Sequence, residues 1–308
     1  MDLLSLVGHT PLIELKDCEP KPGVRIFAKL EGQNPSGSIK DRIVAFMLAK
    51  ARTEGRLKPG QEIVEASTGN TGLALALLGR RLGHPVRIAV PRSVFPDVVR
   101  ALQAIDCQIE WVPADRGIKS AVDFAHDIAR RDGAFMLNQF DSLDNPLCHY
   151  ETTAVEILEQ CPQVDAFVCG LGTGGTAMGV GRRLKEHRRD IQIIAAEPHP
   201  GHNLQGLRSL QDGFIPSILD VGRLDAKFLT RSANAFRATR EVLQREGIFA
   251  GISSGAVMYA ALKWAQRVER ANIVVMFADA GWKYLTTPAF QPDAAIEDGD
   301  ALDEVLWW

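Results

Sequence analysis

Lys40 closes the stretch Asn34-Pro35-Ser36-Gly37-Ser38-Ile39-Lys40, a tight polar turn that ends at the mouth of a helix, with Asp41-Arg42 next in line. Two more loops, Ser67-Thr68-Gly69-Asn70-Thr71-Gly72 and Gly172-Thr173-Gly174-Gly175-Thr176, each follow an apolar strand-like run and open a helical pattern. A loop in that position offers free backbone N–H groups and the positive end of a helix dipole, which suits an anion. The glycines at 172, 174 and 175 let the backbone come close, and Thr173 and Thr176 add hydroxyl donors. A lysine served by two such loops is equipped to hold an aldehyde cofactor, that cofactor's phosphate and an amino-acid carboxylate. Pyridoxal 5'-phosphate chemistry needs that combination.

Each piece has a plainer reading by itself. A helix-start lysine is usually a solvated surface charge, although here Asp41 and Arg42 are placed to satisfy each other beside it. The Ser67–Gly72 loop could be a simple N-cap, worth about 1 kcal/mol of helix stability. Gly172-x-Gly174-x-x-Ala177 also fits a dinucleotide fingerprint, with Glu197 at the end of the next strand where a ribose-binding acid would be. A glycine turn that only packs helix on sheet is the other alternative. Lysine and two anion loops together are more specific than any one of them.

Strand-like runs at Val24–Leu30, Glu62–Ala66, Val86–Val90, Gln108–Val112, Ala166–Cys169, Ile191–Ala196 and Ile273–Phe277 position these loops. Helical patterns occupy Thr71–Leu82, Ala121–Arg131, Ala177–His187 and Asn234–Glu246. Strands alternating with helices of this length imply βαβ units and mostly parallel sheets, hence an α/β fold. The expected organisation is a smaller domain at 36–137, a larger one from 1–35 plus 138–290, and an acidic tail at 291–308 that ends Leu306-Trp307-Trp308.

The 308 residues carry a net charge of −3, so no basic field invites nucleic acid or an anionic membrane. The longest apolar stretch, near Leu73–Leu78, is far shorter than a membrane span, and the N-terminus does not read as a secretory signal. The five cysteines are scattered with no C-x-x-C pair, which argues against a zinc site, a redox dithiol or a disulfide framework. They read as reduced, buried small hydrophobes in a cytoplasmic protein.

A set of motifs then occurs in order: Gly8-His9-Thr10-Pro11-Leu12, Ala28-Lys29-Leu30-Glu31, the 34–42 stretch, Gly69-Asn70-Thr71-Gly72, Leu137-Asn138-Gln139-Phe140, the 172–176 loop and Gly251-Ile252-Ser253-Ser254-Gly255-Ala256. Over about residues 6 to 290 the chain resembles the cysteine synthase family, the β-replacement branch of fold-type II pyridoxal-phosphate enzymes. The resemblance implies two doubly wound domains, mostly parallel in their sheets, with the cofactor in the cleft between them, and a homodimer. It implies that Lys40 forms the internal aldimine, that Asn70 bonds the cofactor's ring hydroxyl, and that Gly172, Thr173, Gly174, Gly175 and Thr176 cradle its phosphate. Ser253 then partners the pyridine nitrogen, and Ser67, Thr68, Gly69, Thr71 and Gln139 grip the substrate carboxylate. A serine at the ring nitrogen makes the cofactor a moderate electron sink, suited to β-elimination, with Lys40 moving the α-proton.

Within that family, Gly206-Leu207-Arg208, Gly247-Ile248-Phe249-Ala250-Gly251 and Ala278-Asp279-Ala280-Gly281-Trp282-Lys283-Tyr284-Leu285 resemble the branch that uses O-phosphoserine rather than O-acetylserine. Arg208 would hold the phosphate, because a planar guanidinium binds a phosphate dianion bidentately and gains little from an acetyl ester. That branch eliminates phosphate to an aminoacrylate and adds sulfur from a small carrier protein bearing a C-terminal thiocarboxylate, or from sulfide, giving L-cysteine. In it the enzyme's own tail enters the cleft, a role open to Leu306-Trp307-Trp308. An exposed loop arginine, and a hydrophobic chain end lying on the surface or at a dimer contact, are the plainer alternatives. The chain departs from the family at Ser67-Thr68, Pro96–Arg100, Asp106-Cys107 and Thr153-Ala154. An O-acetylserine enzyme, a relative using another nucleophile and a catalytically silent regulator stay open.

Overall fold

The computed structural model describes residues 2–92, 94, 96–113, 117–291, 296 and 305–306. In chain order its main elements are β1 (Leu12–Glu14), β2 (Val24–Leu30), α1 (Lys40–Thr53), β3 (Ile63–Ala66), α2 (Asn70–Arg81), β4 (Val86–Pro91) and α3 (Pro96–Ala104). There follow β5 (Gln108–Val112), α4 (Ile118–Asp132), β6 (Phe135–Met136), α5 (Asp144–Cys148), α6 (Ala154–Gln160), β7 (Ala166–Gly170), α7 (Gly175–His187) and β8 (Gln192–Pro198). The chain continues through β9 (Ala226–Thr230), α8 (Ser232–Glu246), α9 (Ile252–Ala265), β10 (Ala271–Phe277) and β11 (Val305–Leu306). These elements form two compact units.

The first unit, Met1–Val7 with Asn34–Asn145, is built on a parallel sheet in the order β5-β4-β3-β6. Its apolar strands β3 and β4 are buried, as expected for a parallel sheet covered by helices. The expected limits of 36 and 137 fall instead at 34 and 145. The reason is local: Gln139 Nε2 donates to Ala66 O at 3.0 Å and Asn145 Nδ2 donates to Gln139 O at 2.7 Å, which ties residues 138–145 to β3.

The second unit, Gly8–Gln33 with Pro146–Trp308, holds a sheet in the order β1-β2-β10-β7-β8-β9-β11. The pairs from β2 to β9 are parallel, and β1 and β11 join the two edges antiparallel. Val168, Ile194, Phe228, Val257, Trp264, Ile273 and Phe277 belong to its core. Helix α9 is apolar on nearly every side and lies against this sheet with most of its residues buried. Of the tail, Val305 and Leu306 pair with Phe228 and Lys227. Trp307, Trp308 and the tail's acidic residues lie outside the described residues.

Candidate active site

Lys40 is the first residue of α1 and is half-buried. The turn before it is held at both ends. Gly37, at φ +77°, donates its N–H to Asn34 O at 2.7 Å. Ser36 donates its N–H to Asp41 Oδ1 at 2.8 Å and its hydroxyl to Asp41 Oδ2. Asp41 is fully buried, so it spends its oxygens on the turn. The carboxylate also sits in the first turn of α1, where the helix dipole favours it. Ser38 Oγ accepts the Lys40 N–H at 3.3 Å. The lysine is thereby fixed to a rigid turn.

The loop before α2 is held by Ser67. Its hydroxyl oxygen accepts N–H groups from Gly69 at 3.1 Å and Gly72 at 2.9 Å, and the hydroxyl itself faces Gly69 O at 3.3 Å. The side chain expected on substrate thus caps a helix, the plainer of the two sequence readings. Thr68 is exposed. Thr71 and Gln139 are both buried and face each other, Thr71 Oγ1 donating to Gln139 Oε1 at 2.6 Å. Behind them lies a residue that motif reasoning missed. Glu65 is fully buried in β3 and accepts the Ala66 N–H at 3.0 Å and the Asn138 N–H at 2.6 Å. Burial pushes its carboxyl up to about 8, against the pull of these backbone donors. An acid between Val64 and Ala66 in a buried strand was the sequence signal.

In the second unit, the turn from β7 into α7 carries the 172–176 loop. The 13-residue helix α7 has Gly174 at its N-cap and no side-chain cap. Gly174 sits at φ +88°, and a Cβ there would lie 2.9 Å from Leu219 Cβ. A Cβ on Gly172 would meet Gly206 O at 2.8 Å. Only glycine keeps this loop open. Gly175 N–H reaches Thr173 Oγ1 at 3.4 Å, and Thr176 Oγ1 lies 3.3 Å from Nε2 of the fully buried His149. His149 Nδ1 lies 2.9 Å from Thr153 Oγ1, in a π-helical turn over His149–Thr153.

Arg208 belongs to a segment that packs on this loop. Its N–H donates to Leu171 O at 2.8 Å. Burial lowers the guanidinium to about 10, so it stays charged at neutral pH. Ser253, the second residue of α9, is buried, and the hydroxyl of its neighbour Ser254 is a buried group without a hydrogen-bond partner among the described residues. A Cβ on Gly206 would lie 3.8 Å from Ser253 Oγ, so Ser253 neighbours the Arg208 segment. Asp279 accepts the Tyr284 hydroxyl and packs against Gly251, the N-cap of α9. The structure thus gathers Lys40, the 67–71 residues and Gln139 in one unit, and the 172–176 loop, Arg208 and Ser253 in the other.

Two charged residues singled out in the sequence are spent on buried ion pairs. Lys29 is fully buried, with Nζ donating to Thr10 O and Glu156 Oε2 at 2.6 Å and to Gln160 Oε1 at 2.8 Å. Glu197, the supposed ribose acid, is fully buried and 2.5 Å from Lys227 Nζ. All five cysteines are buried and free, and burial raises Cys18 and Cys169 to about 12 and Cys107 to about 11. Among the described residues no group of three metal ligands occurs, and no helix is long and apolar enough to cross a membrane.

Residues 3–279 match the model of a protein family described as "Pyridoxal-phosphate dependent enzyme". The chain belongs to this pyridoxal-phosphate dependent enzyme family. It is 36% identical over 299 residues to a cysteine synthase of Aquifex aeolicus, covering 94% of this chain and 91% of the relative. It is 34% identical over 285 residues to cysteine synthase B of Escherichia coli, covering 92% and 94%. The solved structure of an O-ureido-L-serine synthase is 32% identical with a TM-score of 0.89, covering 97% of this chain and 96% of that one.

Family membership makes pyridoxal 5'-phosphate the cofactor, and the residues present suit it. The start of α7, where Gly174 brings no capping side chain and a Cβ would fill the loop, fits a phosphate. The buried Ser253 hydroxyl, both donor and acceptor, fits a ring nitrogen.

Proposed function

We propose that this chain is a cysteine synthase, a transferase that replaces the phosphate of O-phosphoserine with sulfur to give L-cysteine. Lys40 would carry the cofactor covalently, the 172–176 loop would hold its phosphate, Asn70 its ring hydroxyl and Ser253 its ring nitrogen. Bound pyridoxal 5'-phosphate supplies the electron sink that lets a substrate lose its α-proton and β-leaving group. The Lys40 amine takes that proton from Cα and returns it after sulfur has joined Cβ. The Ser67 hydroxyl braces the loop before α2, and the substrate carboxylate would be met by the loop amides, the exposed Thr68 hydroxyl and Nε2 of Gln139, which Thr71 orients.

The observation that carries the phosphoserine reading is the seat of Arg208, bonded through its N–H to Leu171 beside the anion loop. A guanidinium in a partly desolvated site favours a dianionic leaving group over a neutral ester. The sulfur would come from a carrier-protein thiocarboxylate or from sulfide, and the working form would be a cytoplasmic homodimer. The deciding experiment compares O-phosphoserine with O-acetylserine on wild type and Arg208→Ala. Wild type should prefer O-phosphoserine, and the variant should lose about tenfold or more of kcat/KM on that substrate alone. Preference for O-acetylserine by the wild type would overturn the reading.

A second reading keeps β-replacement and changes the nucleophile. The likeness to an O-ureido-L-serine synthase favours it, since that name describes a serine derivative substituted at the β oxygen. A panel of sulfur, oxygen and nitrogen nucleophiles offered with O-phosphoserine separates the two.

A further inference from the structure

The Glu197–Lys227 pair is buried yet belongs to neither anion loop. Glu197 is 0% exposed and Lys227 3% exposed. In the parallel register Lys227 lies opposite Ala195, which puts its side chain on the same face of the sheet as Glu197, two residues further along β8. Glu197 Oε2 lies 2.5 Å from Lys227 Nζ. The other oxygen, Oε1, points out of the pair and accepts the Leu210 N–H at 2.7 Å and the Ser209 hydroxyl at 3.2 Å. These two residues directly follow Arg208. On its other side, Arg208 N–H is held by Leu171 O at 2.8 Å, and Leu207 fills the space over Gly170 so closely that a Cβ there would lie 2.2 Å from Leu207 Cδ2.

We propose that Glu197, with its charge balanced by Lys227, is a positioning residue that sets the Arg208 segment against the anion loop and so tunes selectivity for a phosphorylated substrate. This rests on the reading of Arg208 as the group that binds the substrate phosphate. A buried carboxylate is costly without a partner, and Lys227 offsets part of that cost while leaving Oε1 to grip the loop. The charge-assisted bond to the Leu210 N–H is short, so it holds the segment more firmly than a neutral one would, and the Ser209 hydroxyl adds a longer contact. Leucine at 197 would remove the acceptor of the Leu210 N–H and the Ser209 hydroxyl while the bond to Leu171 stayed in place.

The test uses two matched double variants of the holoenzyme, because removing one charge alone risks unfolding. Glu197→Gln with Lys227→Met keeps a carbonyl acceptor for the Leu210 N–H. Glu197→Leu with Lys227→Met removes the acceptor from a similarly neutral core. The leucine variant should raise KM for O-phosphoserine about tenfold with kcat nearly unchanged, leave O-acetylserine kinetics within about twofold, and speed hydrogen exchange at Ser209 and Leu210. The glutamine variant should stay near wild type in all three. Equal losses on both substrates, or no loss on either, in the leucine variant overturn the proposal. Arg208→Ala separates the two levels. If it affects both substrates alike, the phosphoserine reading fails and the positioning role falls with it. If it is selective while the leucine variant is not, only the positioning role is lost.

Discussion

Asn138 donates its N–H to Glu65 Oε2 at 2.6 Å while holding a left-handed backbone, φ +57°, so a buried carboxyl group inside β3 shapes the loop that carries Gln139. Asparagine is among the few residues that accept this conformation readily.

This arrangement makes stability depend on pH. In the folded chain Glu65 keeps its proton to about 8, against an ordinary value of 4.5. Between those values the unfolded chain has released the proton and the folded chain has not, so this group's contribution falls as pH rises. Glu65→Gln should flatten the decline of the thermal midpoint from about pH 5 to about pH 8 relative to wild type. Parallel curves for the two proteins would count against the assignment.

Lys40 and Lys29 make a paired test of the covalent link. Borohydride reduction of the holoenzyme followed by peptide mapping should place the pyridoxyl label on Lys40. Lys29, sealed by Thr10, Glu156 and Gln160, should carry none. Lys40→Ala should lose the yellow colour and about a thousandfold or more in turnover, because the same amine moves the proton. Label on another lysine would remove the basis of the proposed mechanism.

Thr71 and Gln139 should behave as a unit. Their side chains meet at 2.6 Å in a buried setting. In a double-mutant cycle of Thr71→Val and Gln139→Leu, urea unfolding should give a coupling of about 1 kcal/mol. Additive losses would mean that the two side chains act independently. The same variants should raise KM for the amino-acid substrate more than they lower kcat.

Gly174→Ala tests the anion loop. The substitution meets both a backbone at φ +88° and Leu219 at 2.9 Å, so cofactor affinity of the apoenzyme should fall about tenfold in a fluorescence titration. Gly201→Ala is the control. Its φ is +80° but open space surrounds it, so strain should lower stability there without changing affinity. Equal affinity loss in both variants would dissociate the loop from the phosphate.

Many elements were legible because their patterns are local. Val24–Leu30 is a strand with the expected limits, and Ile273–Phe277 needed only two more residues at its start. Helix α7 follows directly from the glycine loop, and α8 from its amphipathic spacing. Strand β9 carries no clear strand signal because Lys227 interrupts its apolar run, and Glu197 on the neighbouring strand pairs with that buried lysine. Helix α9 shows no helical periodicity, since a helix buried on nearly all sides has no polar face to mark its turns.

The sequence by itself determined the α/β class, the three loops and the lysine among them, because turn chemistry and strand–helix alternation are written in neighbouring residues. Tertiary structure decided what each side chain does. It spent the Ser67 hydroxyl on a helix cap, joined Thr71 to Gln139, put Glu65 behind Asn138 and set Glu197 behind Arg208. Those partners lie far apart along the chain in most cases, and a hydrogen bond depends on distances of a few ångströms that only folding creates.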